Sequence, residues 1–160
     1  MPTLDLQRRR ALLALSALAL APLAHSAGAQ TLPVVEVFRN PSCGCCGDWV
    51  KHLEANGFKV KVTNVEDLPA QRARLGMPAR FGSCHTARVG GYLVEGHVPA
   101  ADVKRLLRDR PSAIGIAVPG MPIGSPGMDG PEYKGQQQPY EVLLVQADGG
   151  ARVFASYPGR

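Results

Sequence analysis

Beyond residue 29 the sequence has no basic block and no Lys/Arg stripe interleaved with aromatics, and aromatics make up only 6% of its 160 residues. A groove that tracks a nucleic acid backbone needs such a stripe, so nucleic acid is not an expected partner. The sequence also has no second cysteine knuckle. Its four cysteines are one cluster, Cys43, Cys45 and Cys46, and the distant Cys84. Structural zinc sites usually close with two separated Cys-x2-4-Cys pairs, and this pattern departs from that. It is also a poor set of staples, because bridging the adjacent Cys45 and Cys46 strains disulfide geometry. No internal repeat divides the chain.

The one long apolar run, "ALLALSALALAPLA" at 11–24, is short for a membrane span and contains Pro22. With "RRR" before it and "HSAGAQ" after it, it reads as a secretory signal peptide over residues 1–29. Cleavage is expected after Ala29, with a mature chain starting at Ala27 as the alternative. "RRALL" fits a twin-arginine signal loosely, and an uncleaved anchor is the opposing reading. Residues 30–160 then form one domain with one core. Without Arg8, Arg9, Arg10 and Asp5, the mature part has 15 Lys plus Arg against 12 Asp plus Glu, a net charge near +3. The expected location is the periplasm, with no membrane contact after cleavage. All four cysteines are exported into a compartment that favours their oxidation.

The pattern of elements predicts an α/β fold. "PVVEVF" (33–38) is a β-rich run ending at the Asn40-Pro41 turn signal. A helix is expected from about Asp48, as N-cap, to "NG" at 56–57, with Trp49, Val50 and Leu53 inward and His52 solvated. "FKVKVTNV" alternates as a strand, and "EDLPAQRARLG" is a short helix ending at Gly76. "CHTARV", the turn Gly90-Gly91 and "YLVEGH" form a hairpin. With that turn, paired residue numbers sum to 181, so Cys84 opposes His97 with Cβ atoms about 5 Å apart. His85 is then expected on the other face. A helix over 99–110 with Val103, Leu106 and Leu107 buried, a long Gly/Pro/Met loop over 111–139, and a C-terminal β-hairpin about Asp148-Gly149-Gly150 complete the chain. Up to Arg110 this is the thioredoxin-like order, with the cysteines in the loop after the first strand. "SCHT" stands where that fold commonly has a cis-proline followed by Thr.

That topology brings Cys43, Cys45, Cys46, Cys84 and His97 together. Disulfide exchange needs one nucleophilic and one resolving thiol, which Cys43 and Cys46 could supply, but Cys45 and Cys84 would then trap wrong disulfides. For a soft metal the surplus is useful, because thiolates select copper(I) and can bridge several ions. Met121 and Met128, in "GMPIGSPGM", lie in a segment with few apolar neighbours to bury them, and thioethers remain ligands under oxidising conditions. Met77 reads as packing. A thiol-disulfide oxidoreductase using Cys43 and Cys46, or a structural zinc module, is the alternative.

The motifs "PSCGCCGDWVKHLEANGF", "SCHTARVGGYLVEGHVPAADVKRLL" and "AVPGMPIGSPGM" resemble those of the exported bacterial copper-resistance proteins of the CopG family, over about 35–157. The resemblance implies a thioredoxin-like fold holding a cysteine-bridged cluster of several copper ions, and a periplasmic role in copper tolerance with interconversion of Cu(I) and Cu(II). By position the cluster would use Cys43, Cys45, Cys46 and Cys84, with His97, Met121 and Met128 as outer ligands. Copper ions, and other periplasmic copper-handling proteins, would be the partners.

Overall fold

A computed structural model describes residues 31–159; the leader expected over 1–29 lies outside them. The β-rich run forms β1 (Val35–Arg39), and the cysteine loop leads into helix α1 (Gly44–Ala55). β2 (Val60–Asn64) returns parallel to β1, pairing Val35 with Val60 and Arg39 with Asn64. Helix α2 (Leu68–Leu75) is capped by Asp67, whose carboxylate accepts the Ala70 N–H at 2.9 Å, and ends at Gly76 with φ of +94°. β3 (His85–Val89) and β4 (Tyr92–Glu95) form the hairpin. Thr86 pairs with Glu95 and Val89 with Tyr92, the register expected of the two-glycine turn. Helix α3 (Ala100–Asp109) follows.

The expected 111–139 loop contains a strand. β5 (Gly115–Ala117) lies parallel to β4 and antiparallel to β6 (Tyr140–Val145), which pairs with β7 (Ala151–Tyr157). Only three residues long, and with Gly115 as one of them, β5 has no period of its own to read. Gly115 is required because a Cβ there would lie 1.8 Å from the Leu93 carbonyl oxygen. The sheet order is β2-β1-β3-β4-β5-β6-β7. Among the described residues no helix is long and apolar enough to cross a membrane.

Alternation along the strands divides the core between two faces. Val35, Val37, Ala87, Val89, Val94, Ile116, Val142 and Leu144 pack with Trp49 and Leu53 of α1 and Val103 and Leu106 of α3. Leu93, Ala117 and Val145 face the other way, onto Met77 and Phe81, which follow α2. Met77 is therefore packing. The sheet's α1 side places the cysteine loop at the end of β1, next to the approach to β3.

Candidate metal centre

Helix α1 begins at Gly44, four residues ahead of the expected Asp48 cap, and its N-cap is Cys43. The chain is turned into it locally: Asn40 Oδ1 accepts the Ser42 N–H at 3.0 Å, and Arg39 Nη1 donates to the Cys43 carbonyl at 2.6 Å. Cys45 and Cys46 are thus wound into the first helical turn, and Asp48 instead pairs with Lys51 at 2.9 Å. Among the described residues no side chain caps its N-terminus. The first-turn amides and the helix dipole favour negative charge, and the sulfurs of Cys43, Cys45 and Cys46 are the groups placed there.

Cys43 and Cys46 are joined in a disulfide, while Cys45 and Cys84 are free. Cys45 Sγ is 3.5 Å from Cys43 Sγ and 3.8 Å from Cys84 Sγ, and Cys46 Sγ lies 3.4 Å from the Cys84 carbonyl oxygen. All four sulfurs lie within 4.8 Å of one another. The sequence segments around 43–46 and at 84 therefore meet in one place. Burial, reinforced by the neighbouring Cys45, pushes the Cys84 thiol up to about 12. Either a metal cation or a nearby positive charge is what would draw its thiolate out.

A second group of donors shares Cys84. His97 Nε2 is 3.0 Å from Cys84 Sγ, and His97 Nδ1 is 2.8 Å from the Pro126 carbonyl. A carbonyl only accepts, so Nδ1 carries the proton and the Nε2 lone pair faces the sulfur in the neutral ring. Burial lowers the His97 pKa, which keeps that ring neutral. Alternation puts His85 on the opposite face and outside the site, and the structure corrects this. His85 does sit on the α1 side, its ring centroid 4.3 Å from that of Trp49 and tilted 35° to it, but its Nδ1 is 3.4 Å from Cys84 Sγ, so Cys84, His85 and His97 form a group within 4.8 Å. Strict alternation fails because Cys84 and His97 lie just beyond the strands and Gly96, at φ of +71°, turns the chain between Glu95 and His97. Burial, then the nearby His97, lowers His85 to about 3. The ring is neutral, and its buried Nε2 has no hydrogen-bond partner among the described residues.

The Gly/Pro segment closes over the cysteine loop. Gly127 lies against α1, where an added Cβ would come within 2.7 Å of Cys45 O and Trp49 N. Met128 is buried, with its sulfur accepting from the Tyr133 hydroxyl at 3.5 Å, whereas Met121 is 51% exposed. His52, expected to be solvated, is half-buried: its Nε2 accepts the Ala100 N–H at 3.0 Å and so caps α3. Burial lowers its pKa.

Residues 81–128 match the family model described as "Protein of unknown function, DUF411". No curated protein matches. Two solved structures do, Form 1 and Form 2 of "Copper resistance protein copG", each 50% identical with a TM-score of 0.73. The alignments cover 80% of this chain for Form 1 and 79% for Form 2, and 99% of each solved chain.

Proposed function

The chain belongs to the family of the copper resistance protein CopG, and on that premise we propose that it is a periplasmic protein that binds Cu(I) in a thiolate site of several ions and supports Cu(I)/Cu(II) interconversion. A copper-related role follows from the family and from the cysteine cluster together. The observation that carries the finer reading is the convergence of four sulfurs from two remote segments to within 4.8 Å. Soft thiolates so close together fit Cu(I) and can bridge ions. Cys43, Cys45, Cys46 and Cys84 are the sulfur ligands in this reading, and His97 is a nitrogen ligand through Nε2. Met128 and Met121 belong to the overlying segment as thioether donors, and its contact at Gly127 with the cysteine loop supports that role for the segment.

The thioredoxin-like arrangement is part of the same reading. The β2-β1-β3-β4 order, with β1 and β2 parallel and β3 antiparallel, supports it. Export by the leader, and handover to other periplasmic copper-handling proteins, complete it.

The Cys43–Cys46 disulfide favours a second reading, thiol-disulfide exchange by the pair at the helix N-terminus. For Cys43 and Cys46 to serve as ligands, two electrons and two protons must first reach that bond, for example from a dithiol that becomes a disulfide in turn. Metal analysis of protein purified anaerobically from the periplasm separates copper from zinc and from no metal. Cys45→Ser should lower copper per chain sharply. Unchanged copper content would reject the cluster, whereas insulin reduction that survives Cys45→Ser and Cys84→Ser would favour the exchange reading.

A further inference from the structure

Cys84 precedes the first residue of β3, so no β-ladder holds it, yet its sulfur meets both Cys45 and His97. The preceding residue is held by side chains. The Ser83 N–H donates to Glu95 Oε1 at 2.7 Å, and the Ser83 carbonyl accepts from Arg72 Nη2 at 2.6 Å. The two side chains also bond each other, Arg72 Nε to Glu95 Oε1 at 2.8 Å, with side-chain exposures of 9% and 0%. Thr86, paired with Glu95 across the hairpin, donates its hydroxyl to Oε2 at 2.5 Å. The Ser83 hydroxyl bonds the Gly120 carbonyl, and the Gly120 N–H donates to Gly82 O at 3.2 Å. Space around this clamp is tight: a Cβ at Gly96 would lie 2.6 Å from Ser83 Cβ.

Stability alone does not account for such a pair, because replacing a buried ion pair with apolar residues is often neutral or stabilising. A buried residue outside any ladder, however, must have both its backbone N–H and its carbonyl satisfied. The planar guanidinium holds two donors in a fixed fork, Nε on Glu95 and Nη2 on the Ser83 carbonyl, a geometry that the point-like ammonium of a flexible lysine does not impose. We infer that Arg72 and Glu95 are positioning residues for Cys84: they fix both backbone groups of Ser83 so that the next sulfur stays against Cys45 and His97. Arg72 comes from α2, on the face of the sheet opposite α1, so the clamp ties the two faces together behind the cysteines. Its functional meaning rests on the copper reading, but its geometry is testable without copper.

In the metal-free oxidised protein only Cys45 and Cys84 are free, and their alkylation by iodoacetamide can be followed residue by residue with mass spectrometry. Arg72→Lys keeps the charge beside Glu95 but loses one arm. It should raise the Cys84-to-Cys45 alkylation ratio about tenfold, the scale of losing one charge-assisted hydrogen bond from a local opening equilibrium. Glu95→Gln should do the same. A purely structural charge pair would instead be rescued by Lys. An unchanged ratio in folded Arg72→Lys overturns the inference. Should either variant fail to fold, Thr86→Val removes one hydroxyl donor from the same carboxylate: a raised ratio there supports the clamp, and an unchanged one overturns it. With copper, Arg72→Lys should lose as much bound metal as Cys84→Ser, and combining the two should lose no more. A wild-type protein that takes up no copper would end the proposed function, while the alkylation ratio would still test the clamp.

Discussion

Residue 127 is glycine because nothing larger fits between the overlying segment and the first turn of α1. Its φ is +84°, and a Cβ would clash with Cys45 O and Trp49 N. The neighbouring Pro126 carbonyl fixes the His97 tautomer, so moving this segment would also release the ring that faces Cys84. Gly127→Ala should therefore cost roughly 1–3 kcal/mol of stability in denaturant unfolding and lower copper affinity with it. A variant as stable as wild type with full copper content would mean that the contact is loose in solution. Histidines 85 and 97 are both buried, and a neutral imidazole is the form that can ligate a metal.

At the scale of elements, α1 links the cysteines to the rest of the domain. Cys46, Trp49, Val50 and Leu53 follow one another at helical spacing and are all buried, and Trp49 Nε1 donates to the Val98 carbonyl at 2.8 Å. That anchor and the His52 cap tie α1 to the start of α3. The His52 pKa lies below its ordinary value of 6.5 because burial disfavours the charged ring. Protonation would also remove the Nε2 acceptor from the Ala100 N–H. The sign follows: the folded pKa is lowered, so the stability from His52 is complete above pH 6.5 and is lost as pH falls below it. Metal-free protein should unfold at lower denaturant concentration at pH 5 than at pH 7, and His52→Gln, which keeps an acceptor but does not titrate, should have a smaller difference. The slope should stay well under the ~1.4 kcal/mol per pH unit of one full proton, because the ring is only partly buried. An identical pH dependence in the variant would remove His52 from this role.

Across the whole molecule the site is assembled from three stretches: 43–46 at the start of α1, 84–97 around the central hairpin, and 126–128 in the segment after β5. A ligand that bridges them binds the folded chain and not the unfolded one, so it must raise stability by mass action. Reduced protein under anaerobic conditions, with free Cu(I) at about 100 times its Kd, should gain roughly 2.7 kcal/mol, and its melting temperature should rise by about 5–10 °C. A Cu(I) chelator should reverse the shift, and protein with the Cys43–Cys46 bond intact should show less of it. No shift in the reduced protein would contradict a site that joins these stretches.

Much of this was readable along the chain because it depends on spacing. The helical period fixes which side of α1 is buried, the alternation in "FKVKVTNV" marks β2, and the two-glycine turn sets a register that puts Thr86 opposite Glu95 and, two steps past the ladder, Cys84 beside His97. The cysteine loop at the end of β1 was equally plain. Other features depend on neighbours distant in sequence, and no local pattern records those. The three residues of β5 are a strand only because β4 and β6 flank them. Asp48 looks like a cap, yet α1 starts at Gly44, with Arg39 of β1 holding the Cys43 carbonyl. His52 has the composition of a surface residue until α3 arrives beside it, and Arg72 resembles any arginine of a short helix until Glu95 lies below it across the sheet. Residue order set the periods and turns, because these are determined by backbone geometry a few residues at a time; burial and charge pairing were settled when separate elements packed, because desolvation and hydrogen bonding depend on what lies across the space, however far away in the chain.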